Sequence, residues 1–112
     1  MKIYHNPRCR KSRETLQIIH DAGIEPEVIE YLKDTPTAEE LAELIDKLGI
    51  KPYELLRKGE VDFKELFKGK ELSDAKWISI MTKYPKLIER PIVVKGNKAV
   101  LGRPPENVKE LL

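Results

Sequence analysis

The sequence predicts an α/β fold in a single domain of 112 residues. Three observations favour this class: a strand–helix–strand pattern in the first third, helical periodicity in the middle, and a hairpin signal followed by a short helical stretch near the end. Hydrophobic residues make up 40% of the chain and charged residues 36%, a balance that is typical of a globular protein and argues against disorder.

The first third of the chain predicts a strand–helix–strand unit. Residues 2–5 form a strand that ends at the Asn-Pro turn signal behind it. Apolar residues at helical spacing predict a helix over residues 10–22, ended by Gly23. Residues 27–32 form a second strand, which we expect to run parallel to the first after a right-handed crossover.

The middle of the chain predicts helices. Thr37 and Glu40 have the spacing of a capping box that begins a helix, and Gly49 ends that helix. A short helix is expected over residues 52–58, and a longer one over residues 74–84 between a serine cap and a proline.

The last part of the chain predicts a hairpin and a closing helix. Residues 91–95 and 98–101 read as strands around a Gly-Asn turn, and Pro105 suits the first turn of the final helix. The element order is therefore βαβ, then inserted helices at roughly residues 37–84, then ββα. This order predicts a thioredoxin-like fold with a mixed four-stranded sheet, in one domain over residues 1–112.

The net charge of +2 is unevenly distributed. The N-terminal basic segment, residues 1–13, has five basic residues and no acidic one, whereas the remainder has 16 basic and 19 acidic residues. A basic run can bind nucleic acid, but this one lacks interleaved aromatic residues and the whole chain is nearly neutral, so no nucleic-acid partner is expected. The only cysteine, Cys9, lies inside this segment.

Cys9 falls between the first predicted strand and the first predicted helix. Backbone N–H groups, the helix dipole and neighbouring cations at such a position lower a thiol pKa from its free value of about 8.5. Ser12 adds a hydroxyl able to donate to the thiolate, and His5 is placed to tune it, although a histidine at a strand end is as often merely packed. A lone cysteine is more commonly a small packed hydrophobe. Basic residues on both sides favour a reactive nucleophile in a pocket that attracts oxyanions.

The cysteine and histidine counts exclude other classes of site. One cysteine cannot form an internal disulfide, which favours a reducing, cytoplasmic compartment. One cysteine and two histidines without matching spacing fall short of a zinc ligand set, so no metal is expected.

No apolar run approaches the roughly 20 residues needed to cross a bilayer, and no signal-peptide stretch is expected.

Four blocks of the sequence carry a family resemblance. They keep their order and approximate spacing across the chain: Ile3-Tyr4-His5-Asn6-Pro7-Arg8-Cys9-x-x-Ser12-Arg13, Leu55-Leu56-Arg57-Lys58, Glu89-Arg90-Pro91-Ile92-Val93-Val94 and Leu101-Gly102-Arg103-Pro104. Together they resemble the ArsC-type, glutaredoxin-linked arsenate reductases.

The resemblance implies a thioredoxin-like fold and roles for particular residues. Cys9 would attack the arsenic of bound arsenate, and Arg57, Arg90 and Arg103 would hold the oxyanion. His5 would lie near the thiolate and be linked to its activation. Guanidinium forks match tetrahedral oxyanions and stay charged throughout, which agrees with these roles.

Two further positions are expected to shape the site. The resemblance implies a cis peptide bond between Arg90 and Pro91, and Asn6 stands in the turn before the cysteine. Arg90 and Arg103 each precede a proline at an element boundary, where an extended chain can aim a side chain.

Because the chain has a single cysteine, the resemblance implies a reaction route that uses thiols from other molecules. The chain offers no second thiol to resolve a Cys9–arsenate adduct, so glutathione would attack it, arsenite would leave, and glutaredoxin would regenerate the thiol. We therefore expect no bound cofactor, glutathione as reductant, glutaredoxin as partner, and a role in arsenic detoxification.

Two alternatives remain open. The first is a regulator resembling Spx, a relative that binds RNA polymerase, although Spx-type switches use Cys-x-x-Cys where this chain has Cys9 and Ser12. The second is a general glutathione-dependent thiol oxidoreductase without arsenate selectivity. Arg10 and Lys11 replace the Gly-Thr found after the cysteine in many reductases, which leaves the substrate open.

Overall fold

A mixed four-stranded sheet, in the order β2-β1-β3-β4, is formed by the two ends of the chain in the computed structural model, which describes residues 1–112. Its strands are β1 (Lys2–His5), β2 (Glu27–Glu30), β3 (Ile92–Lys95) and β4 (Lys98–Leu101). β1 runs parallel to β2 and antiparallel to β3, and β3 runs antiparallel to β4. The predicted mixed sheet is confirmed.

The helix α1 (Arg10–Asp21) joins β1 to β2 and packs on the sheet together with a 3-10 helix over Pro105–Leu111. Ile3 at the centre of β1 is fully buried and pairs with Val28 on one side and Val93 on the other. The core cluster of this part of the chain comprises Ile3, Ile19, Val93, Val108 and Leu111. This core fixes the end of β1 and the start of α1, between which Cys9 lies.

The chain divides into two compact units. One contains Met1–Asp34 and Arg90–Leu112, and the other contains Thr35–Glu89. The second unit holds the helices α2 (Ala38–Leu48), α3 (Val61–Leu66) and α4 (Asp74–Lys83), with 3-10 helices at Pro52–Leu55 and Pro85–Leu87. The predicted insertion over residues 37–84 falls in the second unit, and its description as an insertion in one domain stays a prediction.

The second unit has its own aromatic core around Trp77, which is 2% exposed. Its ring centroid lies 5.4 Å from that of Tyr53, 6.3 Å from Phe63 and 6.2 Å from Phe67, edge-on or tilted as aromatic pairs prefer. The capping box of α2 is present as predicted, with Thr37 accepting from the Glu40 N–H. No helix has the length and apolar character needed to cross a membrane.

Several elements differ from the prediction in extent or type. β2 ends at Glu30 because its carbonyl accepts from the N–H groups of Lys33 and Asp34, which turns the chain. The helix expected over residues 52–58 is a 3-10 turn that stops at Leu55. The closing helix is likewise of the 3-10 type, and α3 was not predicted because six residues give too little periodicity.

Candidate functional site

Cys9 occupies the N-cap position of α1. Its backbone is extended, with φ −94° and ψ 122°, and its N–H donates to the Asn6 carbonyl at 2.9 Å. The side chain is half-buried and unpaired with any other cysteine. A thiol at this position faces the free N–H groups of the first helical turn, which favour a negative charge.

The balance of these surroundings lowers the pKa of the Cys9 thiol. Burial opposes ionisation and is the largest single influence. It is outweighed by hydrogen bonds from the backbone N–H groups of Ser12 and Lys11 and by the side chain and charge of Arg90. The thiolate, which is the nucleophilic form, is therefore favoured relative to an ordinary cysteine.

A second arginine reaches the sulfur. Arg103 Nη1 lies 3.9 Å from Cys9 Sγ and also donates to the Arg90 carbonyl at 3.2 Å. The peptide bond from Arg90 to the following proline, Pro91, is cis, as the resemblance implied. The bond from Arg103 to Pro104 is also cis, which the sequence did not lead us to expect.

Arg90 carries a polar atom that the protein does not satisfy. Its Nε is buried and has no hydrogen-bond partner. A buried donor left unpaired generally costs about 1–3 kcal/mol, and such groups are unusual away from functional sites. Two guanidinium groups next to one acidic thiol can hold a tetrahedral oxyanion against that sulfur.

Ser12 acts on the site differently from the prediction. Its fully buried hydroxyl lies 2.6 Å from His5 Nδ1 and accepts from the Asn6 N–H at 3.0 Å. The structure therefore directs this hydroxyl to His5 and Asn6 and not to the thiolate as expected, and it is the backbone N–H of Ser12 that lowers the pKa of Cys9.

His5 reaches the thiol indirectly, through Ser12. Burial lowers the pKa of His5, the charge of Arg13 lowers it further, and Glu30 opposes both. A neutral imidazole accordingly faces the Ser12 hydroxyl at neutral pH. This geometry gives His5 a part in holding the start of α1, and its link to thiol activation stays a prediction.

Asn6 and Arg13 brace the loop that carries Cys9. Asn6 is buried, and its Oδ1 accepts from the Arg8 N–H at 3.0 Å, an arrangement typical of asparagine in turns. Arg13 Nη1 donates to the Pro7 carbonyl at 2.9 Å. Arg10 instead points to solvent, where its Nε bonds Glu14 at 2.8 Å.

The sequence matches one family of proteins over nearly its whole length. The sequence profile of the ArsC family matches residues 4–111. The chain belongs to the ArsC family. Its fold is accordingly thioredoxin-like, as the element order predicted.

Relatives from several bacteria resemble this ArsC-family chain over nearly its whole length. It is 48% identical to "Uncharacterized protein YfgD" of Escherichia coli, over 100% of this chain and 96% of that protein. It is 42% identical to an arsenate reductase of Haemophilus influenzae, over 98% and 97% of the two chains. The solved structure of an arsenate reductase from Vibrio cholerae superposes with a TM-score of 0.95 at 48% identity, covering 100% of this chain and 98% of that one.

The third arginine that the ArsC resemblance singled out belongs to the second unit. Arg57 Nε bonds Glu89 Oε1 at 3.0 Å, and its Nη1 lies 3.9 Å from Glu60 Oε2. Its N–H donates to the Leu87 carbonyl at 2.7 Å, so backbone and side chain are both held. Its role toward an oxyanion stays a prediction.

Tyr31 belongs to the surroundings of the site, and sequence reasoning missed it. It is 1% exposed, and burial raises its pKa to about 12 against the opposing charge of Arg90 and hydrogen bonds with Arg90 and Asn6. In the sequence Tyr31 looks like any apolar strand residue, so no local signal marks it.

No group of three or more acidic, histidine or cysteine side chains is arranged to hold a metal ion.

Proposed function

We propose that this protein is a cytoplasmic arsenate reductase that uses glutathione as reductant and glutaredoxin to regenerate its thiol. One observation carries the proposal: in an ArsC-family chain, an acidic thiol at a helix N-terminus lies beside Arg90 and Arg103. Relatives of 42–45% identity that cover almost all of this chain are named arsenate reductases.

The first step is the formation of a sulfur–arsenic bond. Arg90 and Arg103 hold the arsenate oxygens and offset their charge, and the family resemblance gives Arg57 the same role. The Cys9 thiolate attacks arsenic, one arsenic–oxygen bond breaks, and the departing oxygen takes up protons and leaves as water. Arsenic is still pentavalent in this Cys9–arsenate adduct.

The second step transfers two electrons. Because the chain has one cysteine, the second sulfur comes from glutathione. Its attack forms the disulfide between Cys9 and glutathione while the sulfur–arsenic bond breaks, so that arsenic leaves as trivalent arsenite. A glutaredoxin thiolate then attacks the glutathione sulfur and releases Cys9 as thiolate.

Four other side chains support this chemistry. His5 and Ser12 hold the start of α1, so that the N–H groups of the first turn stay directed at the sulfur. Asn6 shapes the loop before Cys9, and Pro91 shapes the chain after Arg90.

A coupled assay tests the proposal. Arsenate-dependent NADPH oxidation is measured with glutathione, glutathione reductase and glutaredoxin. We expect Cys9→Ser to abolish turnover while circular dichroism shows an intact fold, and Ser79→Ala, at an exposed position in the second unit, to retain turnover. Normal turnover by Cys9→Ser would refute the mechanism.

The same assay with a second substrate, together with a pull-down experiment, separates the alternatives. A general glutathione-dependent oxidoreductase predicts turnover of a small glutathione mixed disulfide and none of arsenate. A regulator of the Spx kind predicts neither activity and instead retention of purified RNA polymerase by the immobilised protein.

A further inference from the structure

We infer that Tyr31 is a positioning residue that orients Arg90 toward the Cys9 sulfur. The inference deepens the proposed function, because it concerns the arginine that we place against the oxyanion. The register of the sheet and the burial of Tyr31 support it.

The register aligns three residues where the central strands end. His5 on β1 is paired with Glu30 on β2, so the next residues along these parallel strands are Asn6 and Tyr31. Tyr4 on β1 is paired with Ile92 on β3 in antiparallel fashion. Two residues before Ile92 and two residues after Tyr4 lie Arg90 and Asn6. Continued by one or two residues, this register places Tyr31, Asn6 and Arg90 in one row just outside β2, β1 and β3.

Burial and side-chain interactions link these three residues. The Tyr31 ring is 1% exposed, and its hydroxyl interacts with the side chains of Arg90 and Asn6. A guanidinium can only donate, so between these two groups the tyrosine oxygen is the acceptor. Arg90 in turn interacts with the Cys9 sulfur and lowers the pKa of that thiol. The charge of the Cys9 thiolate raises the pKa of Tyr31. Arg90 therefore bridges the phenol and the thiol.

The chemistry of the phenol suits orientation rather than proton transfer. Burial raises the pKa of Tyr31 to about 12, so its hydroxyl stays neutral during turnover and adds no charge that competes with an anion. Arg90 Nε is buried without a hydrogen-bond partner, so no protein acceptor fixes this guanidinium through Nε. A phenylalanine would fill the same space but would lack the hydroxyl that interacts with Arg90.

The substitution Tyr31→Phe removes only that hydroxyl and provides the test. The pKa of Cys9 is read from the pH dependence of its alkylation by iodoacetamide, which needs no arsenate. We expect the pKa to rise by about half a unit, so that alkylation at neutral pH slows about threefold. The control Tyr84→Phe, in the second unit, should leave the Cys9 profile unchanged.

A second background separates positioning from packing. In Arg90→Gln, which has no guanidinium to orient, Tyr31→Phe should produce no further shift of the Cys9 pKa. An unchanged Cys9 pKa in Tyr31→Phe, or an equal shift in both backgrounds, would overturn the inference, even if thermal stability falls. Because alkylation is independent of substrate, these outcomes remain distinct from a failure to reduce arsenate.

Discussion

At the scale of single residues, the acidity of Cys9 is a difference between opposing influences. Burial favours the neutral thiol, whereas two backbone N–H groups and Arg90 favour the thiolate. The backbone donors come from the helix itself and survive any side-chain substitution that leaves α1 folded. Arg90 is therefore the side chain through which the acidity of Cys9 is most directly changed.

Replacing Arg90 by glutamine should raise the Cys9 pKa. The change removes both a hydrogen bond to the sulfur and a positive charge beside it, so the thiolate loses stabilisation and its population at pH 7 falls. Ultraviolet absorbance of the thiolate against pH measures the shift. Arg10→Gln is the control, because that side chain is 84% exposed and paired with Glu14. Equal pKa values in the wild type and Arg90→Gln would contradict the assigned role.

The residue scale also shows how much of the site could be predicted. Cys9 and its neighbours stood out because a thiol within a run of basic residues is visible in the sequence. The family resemblance pointed to the arginines. The contacts of the Ser12 hydroxyl and the row that includes Tyr31 were not predictable, because they depend on sheet register and on rotamers.

At the scale of elements, the site depends on a close approach between β4, α1 and the segment before β3. Gly102 follows β4, is buried, and donates its N–H to the Pro91 carbonyl at 2.9 Å. A Cβ added at Gly102 would overlap the hydroxyl of Thr15 on α1 and lie 2.7 Å from Pro91 Cγ. Residue 102, immediately before Arg103, is therefore glycine because a larger side chain has no room there.

Gly102→Ala should destabilise the protein and disturb the site together. Overpacking of this kind costs about 1–3 kcal/mol, and relieving the overlap displaces Arg103 or Pro91. Urea unfolding gives the loss of stability, and iodoacetamide alkylation reports the thiol. Gly59→Ala is the matched control, because nothing lies within 4 Å of the added carbon and its φ is not positive. Equal stability of Gly102→Ala and Gly59→Ala would contradict this prediction, because it would show that Thr15 and Pro91 can move aside without cost.

The elements themselves were largely predictable where strong local signals exist. The capping box of α2, the glycine that ends it and the β3–β4 hairpin all have side chains or turns that specify them. The short α3 and the 3-10 form of the closing segment were not predictable. Six or seven residues carry little periodicity, and packing rather than propensity selects between helix types.

At the scale of the whole molecule, a nearly neutral chain has its single thiol within a basic stretch of sequence. Residues 1–13 hold five basic residues and no acidic one, although the total is only +2. Such a local excess attracts small anions without making the molecule a general polyanion binder. The same chain supplies one thiol where the proposed reduction needs two, so the proposed cycle depends on an external thiol.

The central claim is that arsenate drives Cys9 into a disulfide with glutathione. Intact-mass spectrometry tests it most directly, on protein incubated with arsenate and reduced glutathione in the absence of glutaredoxin. The account predicts a mass increase of one glutathione on the wild type, dependent on arsenate, removed by glutaredoxin and absent from Cys9→Ser. Wild-type protein that stays unmodified with arsenate, or is modified equally without it, would contradict the account.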